Sequence, residues 1–169
     1  MQFKAIILLS IFCCLQGFAA LKELETRKAV LESLPPDLSS LSNNSKVLDL
    51  KKKFKSKIIK ESKTALFLKY FSESNDVTIG TQKQKLTYVY LKANQTLKDK
   101  HSQLFSRVYS ELTSKEKDKI NEDLSSASHD TGRFIKIDLP EQGLMLEFSN
   151  NEAKSLHSVT FWTPGEKHP

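Results

Sequence analysis

Both cysteines of this chain, Cys13 and Cys14, fall inside an apolar leader. Whatever folds after them has no disulfide and no thiolate metal site. Small secreted domains commonly lean on disulfides, so this chain must be held by side-chain packing, and long amphipathic helices are the expected means. The leader itself reads Met1-Gln2-Phe3-Lys4, then an apolar run from Ala5 to Leu15 broken only by Ser10, then Gln16-Gly17-Phe18-Ala19. A basic start, a short apolar centre and small residues three and one before the cleavage point form a signal peptide of residues 1–19. A membrane span would need roughly 20 apolar residues, and this run has 11. The chain is therefore expected to be secreted and extracellular, without an integral membrane span.

Cleavage after Ala19 leaves 150 of the 169 residues, a usual size for one domain. The leader carries one lysine and no acid, so the formal charge of +6 falls to +5 without it. That excess is local. Residues 46–70 hold nine lysines against Asp49 and Glu61. Outside the cell such a charge meets lipid headgroups, acidic glycans or acidic protein surfaces rather than nucleic acid.

Hydrophobic periodicity predicts an α+β fold: a helical region over 20–127 with three to four amphipathic helices, then a three-stranded antiparallel meander over 133–163. The first helix is expected over Leu21 to Leu34, ended by Pro35-Pro36. Val47, Leu50, Phe54, Ile58, Ala65 and Leu68 recur at three, four or seven residues and predict a second helix over 46–71. A polar loop is expected from Ser72 to Gly80. Leu86, Val89, Ala93, Leu97, Leu104, Val108 and Leu112 predict a third helix over 81–112. His101 fills a gap in that stripe and reads as a core-edge residue. Thr113-Ser114-Lys115-Glu116 has the form of a capping box opening a fourth helix to about Ser126. Alternation then predicts strands at Arg133–Leu139, Leu144–Phe148 and Leu156–Trp162.

Catalytic and metal-binding motifs are absent from the sequence. There is no H-E-x-x-H, no G-x-S-x-G, no phosphate-cradling glycine loop and no EF-hand. The four histidines, His101, His129, His157 and His168, have no metal-ligand spacing, and His129 beside Asp130 is adjacent in sequence only. The expectation is a protein that is not an enzyme and carries no cofactor. Asn43-Asn44-Ser45 and Asn94-Gln95-Thr96 are N-glycosylation patterns, so Asn43 and Asn94 are candidate acceptors in a secreted chain.

The lysine stretch supplies the candidate binding residues Lys51, Lys52, Lys53, Lys55, Lys57, Lys60 and Lys63. They read either as an amphipathic basic helix that meets an anionic surface or as the solvated outer face of a core helix. The aromatic residues leave open an apolar cavity for a fatty acid or similar ligand beside ordinary core packing. Three functions follow: a secreted non-enzymatic binding protein for an apolar ligand or an anionic surface, a secreted protein-interaction or immune-modulating factor, and, disfavoured, a hydrolase.

Leu34-Pro35-Pro36, Asn75-Asp76-Val77-Thr78, Leu112-Thr113-Ser114-Lys115-Glu116-Lys117 and Ser128-His129-Asp130-Thr131 together span about residues 30–132. On these residues the chain resembles the SXP/RAL family of small secreted nematode proteins. Nematode fatty-acid- and retinol-binding proteins have helices with a similar Leu-Thr start. The first resemblance implies a secreted, helical, cysteine-poor protein with weak divalent-cation binding, and it assigns no site residues.

Overall fold

A computed structural model describes residues 26–41, 45–70, 76–125 and 134–166, with the side chains of 122–125 left undescribed. The chain divides into two compact units, residues 1–40 and 41–169. In the first, helical residues 26–31 (α1) pass through a turn into α2 (Pro36–Ser39). Pro36 occupies the first helical position, where its missing N–H costs nothing. Val30, Leu34 and Leu38 are buried. The segment expected as a loop from Pro35 thus contains a short helix.

The second unit is built on a seven-stranded antiparallel sheet, which overturns the expected helical two-thirds with a three-stranded meander. Its elements are α3 (Val47–Lys53), β1 (Ile58–Glu61), β2 (Ala65–Leu68), β3 (Val77–Gln82), β4 (Lys85–Lys92), α4 (Gln95–Lys100), α5 (Leu104–Glu111), α6 (Ser114–Ser125), β5 (Phe134–Leu139), β6 (Leu144–Ser149) and β7 (Leu156–Phe161). The strand order is β1-β2-β3-β4-β7-β6-β5. Two meanders therefore meet at β4 and β7, and the helices 95–125 carry the chain from one to the far edge of the other.

Paired residues in an antiparallel ladder share a face. Leu68, Val77, Leu91, Val159, Leu146 and Ile137 form one row across six strands, and Leu66, Ile79, Val89, Phe161 and Leu144 form the next. All are buried. Helices cover this face: α4 lies against β7 and α6 against β5, and the Phe105 ring of α5 meets Phe148 edge-on at 5.2 Å. Leu97, Leu104, Val108 and Ile120 are the buried positions of these helices.

The predicted helix over 46–71 is α3 followed by a hairpin. Phe54 and Ile58 lie four residues apart because a turn separates helix from strand, not because one helix joins them. The predicted helix over 81–112 breaks down similarly. A register shift places Gly80 opposite Tyr88 but Thr81 opposite Leu86, so Thr87 is an extra residue in β4. The bulge turns Leu86 and Val89 to the same side at a spacing of three, which imitates a helix. Ala93 and Leu97 continue the false period across the junction of β4 and α4. The strands β5, β6 and β7 lie where alternation placed them, and α6 opens on the expected box. The Thr113 N–H donates to Glu116 Oε2 at 2.7 Å and the Glu116 N–H donates back to Thr113 Oγ1 at 3.4 Å.

The β3–β4 hairpin closes on Lys83 and Gln84, with φ of 49° and 64°. Both lie in the left-handed region of a type I′ turn, which favours Asn-Gly because other residues suffer a Cβ clash there. Replacing them by Lys83→Asn with Gln84→Gly should stabilise the protein by about 1–2 kcal/mol. Chemical denaturation would show this as a raised midpoint at unchanged slope, and an unchanged midpoint would argue against strain in this turn.

Candidate anionic-surface site

The lysine segment does not form one helix, so the amphipathic-helix geometry expected for it is corrected. Its residues spread over three elements tied to the β3–β4 hairpin. Lys46 bridges to Lys85, the Val47 N–H donates to the Gln84 carbonyl at 3.0 Å, and the Leu86 N–H donates to the Ser45 carbonyl at 3.1 Å. These bonds bring Lys46, Lys83 and Lys85 into one region. Buried Leu50 and Phe54 hold α3 and the turn after it.

Each predicted lysine has a definite place. Lys51, Lys52 and Lys53 lie on α3, Lys55 and Lys57 in the following turn, Lys60 on β1 and Lys63 in the β1–β2 turn. Lys51 is ion-paired with Glu61 at 2.9 Å, which links α3 to β1. Aromatic rings receive three others: Lys53 over Phe54 at 5.5 Å, Lys57 over Tyr70 at 4.2 Å and Lys60 over Phe67 at 5.8 Å. Such contacts draw the ammonium toward the face of the ring. Lys52, Lys55 and Lys63 are exposed. A groove of about 370 Å³ opens between these elements. Lys51, Lys63 and Lys83 line it, Val47 and Leu66 supply its apolar part, and Ser62, Thr81 and Gln84 complete it. Ser62 Oγ accepts from the Ala65 N–H at 3.1 Å, which holds the turn beside Lys63.

Two exposed apolar residues here lie outside the predicted stripe. Leu48 is 63 % exposed and Ile59 46 % exposed, and among the described residues only Phe134 joins them as an exposed large apolar side chain. Leu48 shares the outer face of α3 with Lys51 and Lys52, three and four residues on. Ile59 is the extra residue of the β1 bulge between Ile58 and Lys60. The periodic stripe through Leu50, Phe54 and Ile58 passed both by. The signal for both is an apolar residue outside the stripe but inside the lysine run.

The opposite face of the sheet carries a polar row. Ser158, wholly buried, donates through Oγ to Glu147, and Lys136 approaches the same carboxylate at 3.4 Å. Burial pushes the Tyr90 hydroxyl above its ordinary pKa, opposed by its hydrogen bond to Ser158 and reinforced by the Glu147 charge. His157 stacks on Phe134 with ring centroids 3.7 Å apart. Burial lowers its pKa, Glu147 counteracts this, and Lys92 and Lys98 add to the lowering. His101 ends α4 half-buried, its pKa also lowered first by burial and then by Lys100 and Arg107.

Asn94 is the N-cap of α4, its Oδ1 accepting from the Leu97 N–H at 3.0 Å. The sequon asparagine Asn43, the pair His129 and Asp130, and the leader residues lie outside the described residues. Among the described residues no helix is long and apolar enough to cross a membrane, and no group of three or more His, Cys, Asp or Glu is placed to hold a metal ion. No family model, curated protein or solved structure matches the chain.

Proposed function

We propose that the protein is an exported, non-enzymatic binding protein that docks on an anionic lipid surface through the lysine face of α3, β1 and the β3–β4 hairpin. The observation that carries this reading is the exposure of Leu48 and Ile59 within the lysine run. An acidic glycan would need only the charges. Apolar side chains held out among lysines suit an interface in which headgroups meet cations and acyl chains meet leucine and isoleucine. The aromatic residues favour this over an internal ligand cavity, because several spend their area on one another. Phe54 meets Tyr70 at 6.1 Å, and Phe105 stacks on Tyr109 at 5.4 Å while meeting Phe148 edge-on.

Sedimentation with phosphatidylserine vesicles over a salt series tests the proposal. Each lysine near such a bilayer contributes about 1 kcal/mol. Replacing Lys52, Lys55 and Lys63 together by alanine should weaken partitioning about a hundredfold, since none of them forms an ion pair described above. Leu48→Ser should weaken it roughly tenfold even at high salt, where charge is screened. Equal and negligible binding to neutral and anionic vesicles at low salt would sink the idea.

A further inference from the structure

The sheet has two edges, and they are built differently. The β1 edge has four residues, a bulge at Ile59, and Lys57, Lys60 and Glu61 in or beside the strand. Charges, bulges and shortness are the features that prevent a strand from pairing onward. The β5 edge has none of the bulges. Its six residues pair with β6 in unbroken register from Phe134–Ser149 to Leu139–Leu144. Among the described residues nothing pairs with its outer side. A strand in regular register presents every second N–H and C=O outward, ready for another strand.

We infer that a second copy of this chain pairs with β5 through its own β5, antiparallel and about a twofold axis at Ile137. The side-chain pattern selects this occupant and this register. On one face of β5 lie Phe134, Lys136 and Asp138, and on the other Ile135, Ile137 and Leu139. With the axis at Ile137, Lys136 faces Asp138 of the second copy and Asp138 faces its Lys136. Ile137 meets Ile137, Ile135 meets Leu139, and Phe134 reaches Pro140, whose missing N–H ends the ladder. A shift of the axis to Lys136 sets lysine against lysine, and a shift to Asp138 sets aspartate against aspartate. Like charges directly opposite destabilise a strand pair. Only the register centred on Ile137 pairs both charges and uses the whole strand. The contact is isologous, so it closes at two copies. It is independent of the lipid-docking proposal, because it uses the other edge of the sheet.

Sedimentation velocity on the mature chain over a concentration series tests this. The expected result is a monomer–dimer equilibrium in the micromolar range, as befits a small interface. Asp138→Lys should weaken dimerisation at least tenfold by opposing lysine to lysine in both pairs. Lys136→Glu should do the same by opposing carboxylates. The decisive sample is the mixture, in which each chain offers what the other lacks and a heterodimer should form at wild-type affinity or better. Lys136 also pairs with Glu147, so each variant is first checked for an unchanged thermal unfolding transition. Asp138→Lys, which disturbs no ion pair described here, carries the test if Lys136→Glu fails that check. A wild-type chain that stays monomeric at all concentrations, or an Asp138→Lys variant that dimerises unchanged, overturns the inference.

Discussion

Phe148→Ala should destabilise the second unit by about 3–5 kcal/mol. Phe148 is wholly buried, stands opposite Ile135 on one side and Leu156 on the other, and receives the edge of Phe105 from α5. Truncation removes the transfer free energy of the ring and leaves a cavity that sheet backbone on both sides cannot close. A domain of this size has a total stability of only about 5–15 kcal/mol, so a third or more of it would be lost. Urea denaturation would show the midpoint falling with little change in slope. The double variant with Phe105→Ala should lose about 1 kcal/mol less than the sum of the two single variants, the worth of the edge-to-face contact. Strict additivity would mean that the helical layer does not rest on the sheet at this point.

Gly143→Ala should cost about 3 kcal/mol, although it adds one methyl group. Gly143 has φ of 57° and ends the turn between β5 and β6. A Cβ there would overlap the Trp162 carbonyl oxygen and approach Pro164 N at 2.8 Å. Both are backbone atoms, and the Trp162 N–H already donates to the Gly143 carbonyl at 2.9 Å, so neither can retreat. Gly165→Ala is the matched control. Its φ of 78° is equally left-handed, but a Cβ meets nothing within 4 Å. That variant should lose only about 1 kcal/mol, the conformational part alone. Equal losses at the two positions, measured by thermal unfolding, would show that crowding against Trp162 has no weight.

The strands β5 and β6 were legible because nothing interrupts their alternation. Ile135, Ile137 and Leu139 are each two residues apart, as are Leu144, Leu146 and Phe148, and Pro140 to Gly143 marks the turn. The capping box at Thr113 was legible because its bonds are local. The first meander was hidden by its irregularities. The bulge at Thr87 changes a spacing of two into three, and the bulge at Ile59 does the same within β1. Tyr88-Val89-Tyr90 and Ile58-Ile59 carry aromatic and β-branched side chains that favour strands, and that chemistry outweighs the apparent period. The helical fold implied by the family resemblance fails for the same residues. Lysine placement was legible as composition but not as shape, since the bridge between Lys46 and Lys85 joins positions 39 apart.

The strand order puts β1 and β5 at opposite edges, six interstrand steps apart. At about 4.8 Å per step this is roughly 29 Å along the sheet, more than three screening lengths at physiological salt. An anionic bilayer at the β1 edge is therefore electrostatically out of reach of β5. Salt screens the attraction at the one edge without an electrostatic effect carried through the fold to the other. A pair joined at β5 holds its two lysine edges some 60 Å apart, counted at the same strand spacing, and the attachment of one raises the local concentration of the other at the same bilayer.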